Sequence, residues 1–156
     1  MTDTHPTVKV ILAIVERRLQ SPFSLDGLSR AEADLLATVT AYGVIGNGGL
    51  VYWYEGKSSR ITHKVATSFE RLGLPAVADA LRASLRAFPG EAPPEDLKAR
   101  SRYISAHRAE LEDAFRDLEK VVWNADWDSA AMAYIDSHRA ELASIAPEYA
   151  AALRLQ

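Results

Sequence analysis

An all-α fold, a single compact bundle of about seven or eight helices, is predicted by three features of this sequence. Apolar residues recur at three- and four-residue spacing in one segment after another, the signature of helices with one buried face. Helix start and stop signals fall between those stripes: Ser29 with Glu32 three residues on, Gly73 followed by Pro75, and Pro147 near the end. Finally, no proline or glycine interrupts residues 95–122, where Leu97, Ile104, Leu111 and Leu118 return every seven residues. A chain of 156 residues is long enough for a real core and predicts one domain over 1–156.

The elements follow in order. Val8, Ile11, Leu12, Val15 and Leu19 share one face, widened by Val10 and Ile14, and predict a first helix over about 7–19 that Ser21-Pro22 stops. Residues 23–28 read as a loop with apolar anchors. Ser29-Arg30-Ala31-Glu32 is a capping box, in which the serine accepts from a free amide and Glu32 reaches back. The helix after it, about 30–46, carries Leu35, Leu36, Val39 and Tyr42, with Gly43 and Gly46 on the same side. Each helical glycine costs about 1 kcal/mol against alanine, so two on one face predict close approach of another backbone. Asn47 is a candidate to end this helix, and a short helix then runs from Gly48-Gly49 through Leu50, Val51, Tyr52, Trp53 and Tyr54 to Gly56. An extended strand is the rival for that run, since valine, tyrosine and tryptophan favour strands.

Ser58 or Ser59 starts a helix over about 60–72 with Ile61, Val65, Phe69 and Leu72 inside. The next begins at Pro75 with Val77, Leu81, Leu85 and Phe88 inside. Residues 89–94, Pro-Gly-Glu-Ala-Pro-Pro, are a surface connection. Residues 95–122 form one long helix or two collinear ones with a break near Arg108. Residues 123–128 are a loop, Asp128 or Ser129 caps a helix over about 129–144, and Pro147 opens a last short helix. The nine residues from Tyr103 to Leu111, Tyr-Ile-Ser-Ala-His-Arg-Ala-Glu-Leu, are echoed from Tyr134 to Leu142 as Tyr-Ile-Asp-Ser-His-Arg-Ala-Glu-Leu.

Composition bounds the function. Without cysteine there is no disulfide framework, thiolate metal site or cysteine nucleophile. No apolar run is expected to span a membrane, no secretory signal is expected, and the cytoplasm is the expected location. The net charge of −3 lacks the basic surplus of a nucleic-acid binder. Charge is uneven: residues 101–156 hold ten acids and six bases.

The stretch Asn47-Gly48-Gly49-Leu50-x-x-Trp53-Tyr54, between two helices, resembles the Asn-Gly-Gly-Phe-x-x-Phe/Tyr-Phe signature of a bacterial helical family of unknown function that includes a DNA mimic protein. Tyr134-Ile-x-x-His138 and residues 118–128 resemble its C-terminal pattern. The likeness spans roughly 35–145, with Leu50 where the family has an aromatic. It implies an all-helical fold and a protein that presents carboxylates to a DNA-binding protein.

Two candidate surfaces follow. One is Asn47, Gly48, Gly49, Tyr52, Trp53 and Tyr54: three consecutive rings on a helix cannot all face one core, and aromatics with polar tips make binding anchors. The amides of Gly48, Gly49 and Leu50 could also hold an anion. The second is acidic: Glu110, Asp113 and Asp117, with Asp126 and Asp128. His107-x-x-Glu110 and His138-x-x-Glu141 each set two potential ligands one turn apart, but the further glutamates of a di-metal bundle site are not evident. No nucleophile elbow, P-loop or zinc-protease helix is present. The expectation is a non-enzymatic module, without cofactor or metal, that binds another protein, whether to regulate a DNA-binding protein, to neutralise a toxin or to pair as a homodimer. The alternative is a small-ligand protein or enzyme with a pocket at residues 43–54.

Overall fold

The computed structural model describes residues 4–19 and 25–154, so the expected stop at Ser21-Pro22 and the anchor Phe23 lie outside the described residues. Among the described residues every regular element is a helix. They are α1 (Pro6–Arg18), α2 (Arg30–Glu55), α3 (Thr62–Arg71), α4 (Pro75–Ser84), α5 (Leu97–Ala106), α6 (Arg108–Trp123), α7 (Trp127–Ser137), α8 (Arg139–Ile145) and α9 (Pro147–Ala152), with short 3-10 turns around residues 57–61 and 85–91. The strand alternative for residues 50–54 is thereby set aside.

α2 is the axis of the bundle. It packs against α1, α3, α5, α6, α7 and α8, while α3 and α4 pair with each other and α9 closes against α1 and α8. At 26 residues it is long and apolar enough to cross a membrane by length and composition, contrary to the expectation that no segment would be. Here that apolarity serves the core: Leu35, Ala41, Ile45, Leu50, Trp53 and Tyr54 are buried among the other helices.

Two carboxylates near the start of α2 fasten the surrounding helices. The capping box forms as read, with Glu32 accepting from the Ser29 amide and the Ser29 hydroxyl accepting from the Glu32 amide. Buried Glu32 also accepts from Arg18 of α1 and from the Tyr149 hydroxyl of α9. Burial pushes its carboxyl up, but the Tyr149, Ser29 and Arg18 hydrogen bonds outweigh burial and hold it below the usual range. Asp34, equally buried, accepts from Ser68 and Arg71 of α3 and from Tyr134 of α7. Buried Arg100 ties the far end of α2, donating to the carbonyls of Gly56 and Pro94.

The sequence echo is a structural repeat. The α5–α6 break falls at His107 (φ −119°, ψ 21°), beside the expected Arg108. The second copy breaks identically at His138 (φ −108°, ψ 14°), so the single helix expected over 129–144 is two helices, α7 and α8. In each copy the tyrosine ring lies on the histidine ring, with centroids 4.5 Å apart for Tyr103–His107 and 4.1 Å for Tyr134–His138. α7 also starts earlier than expected. Its cap is Asp126, which accepts from the Ser129 amide, and not Asp128 or Ser129.

Candidate functional site

The Asn47-Gly48-Gly49 stretch joins two helical segments of α2 across a kink, at the place where the sequence divides them. Gly49 alone leaves the helical region (φ 75°, ψ −178°), a conformation that disfavours any side chain. The kink frees the Leu50 amide, which donates to Glu119 Oε1 of α6 at 2.7 Å. A Cβ on Gly49 would lie 2.5 Å from that same oxygen, and a Cβ on Gly48 would lie 2.6 Å from the Tyr52 ring. Of the three amides weighed for an anion, that of Leu50 is thus taken by the chain's own Glu119 carboxylate. Glu119 was not among the sequence candidates. Its signal was position: it stands four residues after Phe115 and three before Val122, both buried, so this acid faces inward and needs a partner.

The three consecutive rings separate as helical geometry requires. Tyr52 is 55% exposed. Trp53 and Tyr54 are sealed in the core, which corrects their assignment to a contact surface. The Trp53 indole donates to the Thr62 hydroxyl, and the Tyr54 hydroxyl shares a 2.6 Å hydrogen bond with Ser84. Tyr54 meets Phe88 edge-on at 4.7 Å, and burial pushes its hydroxyl up to about 12. At about 100° per residue, three successive side chains span more than half the helix circumference, so Trp53 reaches Thr62 of α3 and Tyr54 reaches Ser84 of α4 while Tyr52 is left outside.

A groove opens one turn before the kink. Gly43 and Gly46 are exposed, and nothing lies within 4 Å of a Cβ built on either. The predicted close backbone approach is absent; the glycines form the floor of an open depression of about 360 Å³. Tyr42, Trp123 and Trp127 stand around it, with Thr4, Val39, Asn47, Ala125, Asp126 and Asp128 also in the lining. Tyr42 stacks on Trp127 (6.0 Å between centroids, 20° between planes), and its hydroxyl donates to the Ala125 carbonyl. Trp123 is 48% exposed, with its indole N–H held by the Ile45 carbonyl. Trp123 and Trp127 belong to the segment read only as a loop. A Trp-x-x-x-Trp spacing with two interleaved aspartates was the available signal.

The five candidate acids divide into two sets. Glu110, Asp113 and Asp117 lie exposed along α6, and each has a partner three residues away: the His107 imidazole at 3.0 Å, Arg116 at 3.0 Å and Lys120 at 2.8 Å. His107-x-x-Glu110 is thus a hydrogen-bonded pair. Asp126 and Asp128 stand at the groove, and among the described residues neither is in an ion pair. Asp126 accepts from the Ser129 hydroxyl and amide, which together hold its carboxyl below the usual range. Asp128 accepts from the His5 amide through both oxygens, at 2.9 and 3.0 Å. Among the described residues no cluster of three His, Asp or Glu is placed to hold a metal ion.

An all-helical bundle with an aromatic groove beside its Asn-Gly-Gly kink is thus the kind of molecule in hand. The model of the family described as DMP19-like protein matches residues 26–138, so the chain belongs to that family, a family of DNA mimic proteins. That match covers α2 through α7, with the kink, the first copy of the repeat and the groove's lining apart from Thr4 inside it. No curated protein and no solved structure matches the chain.

Proposed function

We propose that this chain is a non-catalytic protein-binding module whose contact surface is the groove floored by Gly43 and Gly46, with Tyr52 and Asn47 on its flank. One observation carries the reading. Glycine at two exposed helical positions weakens α2 by about 1 kcal/mol each, and no neighbour needs the space. An open floor against which none of the described residues packs is what an incoming group would use. The DMP19-like membership makes a DNA-binding protein the favoured partner, ahead of a toxin.

The reading is narrower than whole-duplex mimicry. Duplex DNA carries about one charge per 1.7 Å of axis, so one turn presents on the order of twenty phosphates. This chain offsets 21 acids with 18 bases, and its longest acidic row is ion-paired. A local contact at unpaired aspartates fits these numbers better than an extended charge field.

The test is affinity capture from the native host's lysate, read by mass spectrometry, with the unaltered chain, Gly46→Leu and Tyr52→Ala. Both substitutions fall on exposed positions, so the fold is retained. The expected result is a partner captured by the unaltered chain and lost with Gly46→Leu. Identical partner lists from all three would overturn the reading. Trp53→Ala is unsuitable here, because removing a buried indole costs about 3–5 kcal/mol and tests folding.

A further inference from the structure

We propose that the groove is a receptor for a single arginine side chain carried by the protein partner, an assignment that rests on the binding-module reading above and specifies its chemistry. The lining supplies what a planar cation needs. Tyr42, stacked on Trp127, and the half-exposed Trp123 line the walls, and guanidinium groups stack on aromatic rings. Gly43 and Gly46 leave a floor without side chains, so a long, thin side chain can lie along the α2 backbone.

Charge agrees. Two carboxylates and, among the described residues, no Lys, Arg or His line the groove. The start of α7 adds about half a positive charge, which two aspartates outweigh. Each carboxylate has about four acceptor positions. Asp126 spends two on Ser129 and Asp128 spends two on the His5 amide, so both keep capacity for a guanidinium's N–H groups. The low-lying carboxyl of Asp126 keeps its charge under mildly acidic conditions. The α6 row is different: Asp113 and Asp117 have their own cations in Arg116 and Lys120, and Glu110 is hydrogen-bonded to His107. Lysine fits less well, because its compact ammonium neither stacks nor bridges two carboxylates with a flat fork.

The experiment uses the full chain labelled with ¹⁵N and titrated with N-acetyl-arginine amide, against the neutral isostere N-acetyl-citrulline amide and against N-acetyl-lysine amide. The readout is the Trp123 indole signal and the amides of Gly43, Gly46 and Asp126. Saturable shifts at these positions are expected with arginine. Binding at least fivefold weaker is expected with citrulline and lysine, and with arginine against the Asp126→Asn/Asp128→Asn variant. Asparagine keeps the cap on α7, so this variant retains its fold. Equal shifts from citrulline would remove the charge argument, and equal shifts from lysine would overturn the assignment to arginine. Undiminished arginine binding by the double variant would overturn the site. If arginine amide fails while Gly46→Leu still abolishes capture of the partner, this assignment falls and the binding-module reading stands; if capture is also unaffected, both fall.

Discussion

The outer row of α6 and the groove beside α2 both carry carboxylates on the surface, yet they are built on opposite terms. Along α6, Glu110, Asp113 and Asp117 each face a basic side chain three residues away, the His107 imidazole, Arg116 and Lys120. Exposed pairs of this kind contribute roughly 0–1 kcal/mol and leave little net field. At the groove, Asp126 and Asp128 are engaged only by neutral donors, and aromatic walls stand beside them. An acid whose neighbours already neutralise it stabilises its own helix. An acid held in place without a counter-charge is available to something else. The lesson is that counting acids locates a candidate surface only after their local partners are subtracted.

The largest effect expected is at the corner that holds the groove's two flanks in register. Gly49→Ala places a side chain at φ 75° and drives Cβ against Glu119, which strains the backbone and breaks the Leu50 cap. Thermal or urea unfolding should show a loss of about 2–4 kcal/mol. An unchanged midpoint would mean that the kink does not organise this face. Next comes the floor itself. Gly43→Ala and Gly46→Ala should each raise stability by about 1 kcal/mol while weakening partner binding, a divergence that unfolding and binding measured on the same samples would reveal. A fall in stability would mean the positions are packed. The smallest effect belongs to the row on α6. Neutralising Glu110, Asp113 and Asp117 together with their amide counterparts should change stability by less than about 1 kcal/mol and partner affinity by less than about threefold.

Much of the fold was legible in the sequence. Ser29 and Glu32 announced the start of α2, the seven-residue recurrence gave the line of α5 and α6, and Gly73 with Pro75 divided α3 from α4. What the sequence could not supply was helical phase beyond the kink. Tyr42 and Trp53 are eleven residues apart, about three turns, and would share a face on an unbroken helix. The backbone reversal at Gly49 resets that phase, so Tyr42 looks into the groove and Trp53 into the core. Gly43 and Gly46 were ambiguous for a different reason. A missing side chain marks either a tight contact or an open floor, and only the neighbours decide. The break at His138 was available in principle, since the echo carries the same residues and a break near Arg108 is one of the two readings of its twin.

Carboxylate footprinting with a carbodiimide and an amine nucleophile, on the chain alone and with its captured partner, tests the central claim most directly. Asp126 and Asp128 should lose labelling in the complex while Glu110, Asp113 and Asp117 keep theirs. Protection confined to the α6 row, with the two groove aspartates still fully labelled, would contradict the account.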